Sequence, residues 1–145
     1  MRRLLTVLIL LAGTAPLAGA QSAADSAAIR ATALDYIEGW YAGDADRMAR
    51  ALHPELAKRI VVTKDGVSTL EHMGAEKLVA GTRAGYGKET PPELVQTDVT
   101  ILDVFKNAAS VKIVAGEWID YLHLAKFDGR WVIVNVLWEL NPKKP

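Results

Sequence analysis

The stretch "EWIDYLHLAKFDGRWVIVNVLWEL", residues 117–140, decides how the chain folds. Apolar residues dominate it, and Asp128-Gly129 interrupts it where a two-residue hairpin turn fits. A turn there pairs Phe127 with Arg130, and the ladder predicts Lys126–Trp131, Leu124–Ile133, Leu122–Asn135 and Asp120–Leu137. A second turn at Gly116-Glu117 pairs Ala115 with Trp118 and Ile113 with Asp120. Paired residues share a face. One face therefore collects Val111, Ile113, Trp118, Asp120, Leu122, Leu124, Trp131, Ile133, Asn135 and Leu137. The other collects Tyr121, His123, Val132, Val134, Val136 and Trp138. Both faces are apolar, whereas a half-solvated antiparallel sheet alternates. Each face is thus expected to have a partner: a helix and a pocket on the first, a second copy of the chain on the other.

Upstream, residues 22–42 carry Ile29, Ala33, Tyr36, Ile37 and Trp40 at helical spacing, with Asp25 as cap and Gly43 as stop. Asp44 caps a short second helix through Met48 and Leu52. In "HPELAKR", Pro54 at a first helical position predicts a third helical piece. "RIVVTKDGVSTLEHM" reads as a hairpin turning at Asp65-Gly66, and residues 74–84 return to helical spacing. Long strands are predicted at 94–105, 108–115, 118–127 and 130–140. Helices set apart from a largely antiparallel sheet make this an α+β fold.

The chain has 145 residues, enough for one domain. "MRRLLTVLILLAGTAPLAGA" has two arginines, a short apolar run and a small-residue end, which reads as a signal peptide over 1–20. Export to the periplasm or the exterior follows, with residues 21–145 as the single mature domain. The whole chain carries 17 basic and 17 acidic residues; losing Arg2 and Arg3 leaves 15 and 17, a charge of −2. No strong field draws it to nucleic acid or to an anionic membrane. With no cysteine there is no disulfide staple and no thiol chemistry. His53, His72 and His123 lack partners at ligand spacing, so neither a metal nor another cofactor is expected.

Two segments, "YIEGWYAGDADRMARALHPELAKR" and "WIDYLHLAKFDGRWVIVNVLW", resemble the nuclear transport factor 2-like superfamily. More narrowly, they resemble the bacterial group that carries the lumazine-binding label, over nearly all of 24–140. The resemblance implies a cone-shaped roll: a curved sheet wraps the first helix and encloses a pocket, and its outer face commonly makes a dimer. SnoaL-like polyketide cyclases and ketosteroid isomerases share that superfamily. Tyr36 matches the isomerases' oxyanion-stabilising tyrosine, seven residues before the glycine of "GD". Their carboxylate base has no counterpart, because the chain is apolar at Ile60 and Val61. Isomerase chemistry needs both groups and does not transfer.

The candidate pocket residues are Tyr36, Trp40, Trp118, Asp120 and Asn135. Asp120 and Asn135 are read as polar anchors on an apolar wall; the competing reading is a structural hydrogen-bond pair tethering the first helix or a loop. Trp118 is placed to stack a flat ligand, and Tyr36 to donate a hydrogen bond. The reading is an exported small-molecule binder. The alternatives are an isomerase, cyclase or dehydratase using Asp120 as acid or base, and an interaction module whose interior is filled.

Overall fold

The computed structural model describes residues 17–142, with side chains from residue 22. The expected signal peptide lies outside the described residues as far as residue 16. Its last four residues continue into the first helix, α1 (Leu17–Ala42). α2 (Ala45–Ala51) and α3 (Ala75–Arg83) follow, with β1 (Leu52–Lys64) and β2 (Val67–Met73) between them. β3 (Asp98–Phe105), β4 (Ala108–Val114), β5 (Trp118–Phe127) and β6 (Arg130–Leu140) complete an α+β fold. The strands form one curved sheet in the order β2-β1-β6-β5-β4-β3. Every pair is antiparallel except β1 with β6.

α1 lies on the concave face because its apolar residues recur along one stripe. Ile29, Ala33, Tyr36 and Ile37 are buried against Val111, Ile113, Leu122, Leu124 and Ile133 of the sheet. Asp25 does not cap the helix, which begins upstream of it. Its carboxylate instead accepts from Lys126 Nζ (2.7 Å) and Trp131 Nε1 (3.0 Å), pinning α1 to the β5–β6 turn. Asp44 does cap α2, accepting from the Arg47 amide. The turns at Asp65-Gly66 and Asp128-Gly129 have positive φ at both central residues, the twist that suits a two-residue hairpin.

The strand expected from residue 94 begins only at Asp98, after a 3-10 turn over Pro92–Leu94, and two larger expectations fail as well. Residues 53–59 form no third helical piece but the first half of β1. Proline disfavours helical geometry in the residue before it, and here it pushes His53 toward extended backbone. The parallel ladder to β6 is irregular between Leu52 and Ala57, and that irregularity accommodates the missing proline N–H. From there Leu56, Lys58 and Ile60 alternate inward.

The second failure is one of register. Leu124 pairs with Ile133 as expected, but His123, not Leu122, pairs with Asn135. One extra residue, Val134, forms a bulge in β6. Beyond it every assignment on β6 reverses. Val136 and Trp138 turn inward beside Leu122 and Asp120, while Asn135 and Leu137 turn outward beside His123 and Tyr121. Val136 is therefore core, and Val132 is also buried within the single chain. Of the six residues expected to meet a second copy, Tyr121 and His123 are exposed and Val134 is half-buried. Val132, Val136 and Trp138 are not available to such a face.

Candidate functional site

The inward reversal of β6 and the inward alternation of β1 bring new side chains to the concave end of the sheet. Tyr36, Ile37 and Trp40 of α1, Met48 of α2, Lys58 of β1, Met73 of β2, Leu78 of α3, Trp118 of β5 and Trp138 of β6 line a cavity of about 190 Å³. Its wall is almost wholly apolar. The volume is about six water molecules' share of liquid, room for one substituted ring.

Behind that wall sits Asp120, with no exposed surface and no place in the lining. Three side chains that do line the cavity converge on it. Lys58 Nζ donates to Asp120 Oδ1 at 2.6 Å. Tyr36 Oη donates to Oδ2 at 3.2 Å, and Trp118 Nε1 donates to the same oxygen at 3.0 Å. Lys58 Nζ also donates to Tyr36 Oη at 2.7 Å and lies 4.9 Å from the centroid of the Trp138 ring. The carboxylate thus fixes the directions of a phenol, an ammonium and an indole. Such a network offsets the cost of burying charge only because its geometry is good and its lone pairs are used.

Burial dominates the electrostatics. It raises the Tyr36 hydroxyl well above its ordinary value of 10.0, and the Asp120 charge adds to that, so the phenol stays protonated. Burial lowers Lys58 from its ordinary 10.5, and the Asp120 carboxylate offsets part of the fall. Two of the three ammonium protons are engaged by oxygen, leaving the third N–H for another acceptor. Trp40 Nε1 is a second donor, buried and without an acceptor among the described residues.

The loop after α3 holds Trp40 in place. A Cβ on Gly87 would sit 2.1 Å from the Trp40 carbonyl oxygen and 2.7 Å from its ring, so only glycine permits this approach. Trp40 meets Trp118 edge to face at 6.5 Å, and Tyr41 tilts against Trp118 at 6.1 Å.

Of the five residues singled out by sequence, Tyr36, Trp40 and Trp118 line the cavity and Asp120 ties two of them together. Asn135 does not join them. It lies on the outer face, accepting from Arg59 Nη1 (3.0 Å) and contacting His123 Nδ1 (3.3 Å). Its predicted partnership with Asp120 rested on the register that the bulge breaks. Sequence reasoning missed Lys58, because it placed 53–59 in a helix, and Trp138, because it placed that ring on the outer face. The alternation Leu56-x-Lys58-x-Ile60 was the available signal for Lys58: a lysine between two inward aliphatics on a strand. Among the described residues no group of three histidine, aspartate or glutamate side chains is placed to hold a metal.

The model of the family described as "Putative lumazine-binding" matches residues 24–139. Among curated proteins, none matches the sequence significantly. An NTF2-like protein of unknown function from Shewanella baltica OS155 is 18% identical, with a TM-score of 0.63 over 83% of this chain and 97% of its own. An NTF2-like protein with a cystatin-like fold from Novosphingobium aromaticivorans is 14% identical, with a TM-score of 0.65 over 91% and 94%. A type 2 hexachlorocyclohexane dehydrochlorinase (LinA) is 13% identical, with a TM-score of 0.56 over 86% and 90%. At these identities the likeness carries the fold: an NTF2-like, cystatin-like roll.

Proposed function

The chain belongs to the putative lumazine-binding family, and from that premise and the cavity we propose that it is an exported protein that binds a small, flat, largely apolar molecule bearing a hydrogen-bond acceptor. One observation carries the reading: an apolar cavity of about 190 Å³ whose unsatisfied polar groups are the third N–H of Lys58 and, in its wall, the Trp40 indole N–H. Both are donors. A ligand supplies the acceptor and stacks against Trp118 or Trp138. The volume lies below the ~300 Å³ of ordinary drug-sized sites, which favours one substituted ring over a larger fused system. A filled interior, the interaction-module alternative, fits this cavity poorly. A direct acid or base role for Asp120 also fits poorly, since Asp120 has no surface on the cavity; any catalysis would run through Tyr36 or Lys58.

The test is native mass spectrometry of protein recovered from the periplasm, followed by thermal-shift titration with benzyl alcohol, benzaldehyde and lumazine. A co-purifying small molecule, or a saturable upward shift with a one-ring compound, supports the reading. Shifts with none of them, and no bound molecule, would remove it. A shift with lumazine alone would replace the one-ring ligand by the two-ring one.

The reading includes a two-fold dimer through the convex face, with revised residues. Leu70, Val61, Leu137 and Tyr121 are 61%, 49%, 50% and 45% exposed on β2, β1, β6 and β5. The ladder puts them on one face in a diagonal stripe, around Arg59 and Asn135. An apolar stripe of this kind on a small domain supports pairing of two copies.

A further inference from the structure

The neutral reading of Lys58 is a buried ion-pair member that holds α1 to the sheet. Its position argues for more. It is a charged side chain on the wall of an apolar cavity. A proton acceptor lies 2.6 Å away and a protonated phenol 2.7 Å away. Aromatic rings face the same space: Trp138 is 4.9 Å from Nζ, and Trp40 and Trp118 complete the wall. These are the parts an amine needs to condense with a carbonyl: a group to take its proton, a donor to polarise oxygen, and an apolar site.

We propose that Lys58 is a covalent site for small aromatic aldehydes or ketones, which it captures reversibly as an iminium. The proposal rests on the ligand-binding reading of the same cavity and names the ligand's reactive group.

The proton and electron balance closes within the cluster. Asp120 takes one proton from the Lys58 ammonium across their 2.6 Å contact, giving a neutral amine beside a neutral acid. The amine lone pair forms the C–N bond while the carbonyl π electrons move to oxygen. That oxygen takes the proton back from Asp120, by way of the Tyr36 hydroxyl. A second nitrogen proton then passes to Asp120. The carbinolamine hydroxyl leaves as water with it, and the C=N bond forms. Ammonium plus carbonyl has become iminium plus water, with no oxidant or reductant. The iminium keeps the positive charge, so it keeps its ion pair with Asp120 and its place over Trp138. The lowering of Lys58 by burial is in the direction that supplies the neutral amine.

The experiment is reductive trapping of the intact protein with benzaldehyde and cyanoborohydride, read by peptide mapping, with benzyl alcohol binding measured in parallel by tryptophan fluorescence. The hydride adds to the imine carbon and fixes the adduct as a secondary amine. The expected result is one benzyl group on Lys58, formed on the order of tenfold faster than on exposed Lys64, Lys77 and Lys106, and lost in Lys58→Arg. Should Lys58→Arg fail to fold by circular dichroism, the peptide map of the unaltered protein still decides. Label spread over exposed lysines and absent from Lys58, with benzyl alcohol bound, would overturn the covalent site and leave the cavity reading standing. Label absent from Lys58 and no benzyl alcohol bound would overturn both.

Discussion

The same three residue types meet twice in this fold. At one end of the sheet Asp25 accepts from Lys126 and Trp131; at the other Asp120 accepts from Lys58 and Trp118. The distances match, at 2.7 and 3.0 Å against 2.6 and 3.0 Å. The surroundings do not. The Asp25 and Lys126 side chains keep 16% and 18% of their exposure, while Asp120 keeps none and Lys58 9%. Water therefore screens the first cluster more than the second. The first acts as a clasp between α1 and the β5–β6 turn. The second adds a buried tyrosine and borders an apolar cavity, so its charges are less screened. A residue trio has no character of its own; burial and an adjacent cavity set it.

The largest expected effect separates the two aspartates. Asp120→Ala strands a buried lysine and is expected to cost about 3–5 kcal/mol in urea unfolding. Asp25→Ala, partly wet, should cost about 1 kcal/mol. Equal losses would break the comparison. The paired variant Lys58→Met with Asp120→Asn removes both charges and should regain most of the Asp120→Ala loss, since a buried ion pair is worth little against a neutral replacement.

Gly87→Ala comes next. Its methyl group meets Trp40, and the overpacking should cost about 1–3 kcal/mol and abolish ligand-induced thermal shifts. Unchanged binding would show that Trp40 does not hold the cavity's shape.

The pH dependence has a defined sign. Lys58 is lowered in the folded state, so between that value and 10.5 the unfolded chain holds the extra proton, and stability rises with pH. Tyr36 is raised, so above 10.0 the unfolded chain loses its proton first, and stability falls. Lys58→Met should erase the alkaline rise, and Lys126→Met should not. If both erase it, the burial contrast is not its cause.

The smallest effect concerns the convex face. Leu137→Asp should leave monomer stability within about 0.5 kcal/mol and reduce the mass by half in light scattering. A monomer before substitution would end the dimer proposal.

The legible parts of the fold were those where turn chemistry or periodicity repeats. Asp65-Gly66 and Asp128-Gly129 marked their hairpins, and the 3.6-residue stripe through Ile29, Ala33 and Ile37 marked α1. The bulge was invisible because positions 132, 133, 134 and 136 are all valine or isoleucine, on both faces of the strand, so no change in alternation exposes the slip. β1 was misread because Pro54 suits both a helix start and an irregular strand, and only the partner strand decides between them. The site followed suit. Tyr36 and Asp120 were reached from local spacing and from the Gly116-Glu117 turn, which the bulge does not touch. Asn135 and Trp138 lay beyond the slip and exchanged faces.

The chain's four tryptophans offer the most direct test, because Trp40, Trp118 and Trp138 line the cavity and Trp131 belongs to the Asp25 clasp. Their indole N–H signals can be followed by heteronuclear NMR while benzyl alcohol is added. A small molecule in the cavity predicts saturable shifts of the three and a stationary Trp131. Three stationary cavity signals, or four moving together, would contradict it.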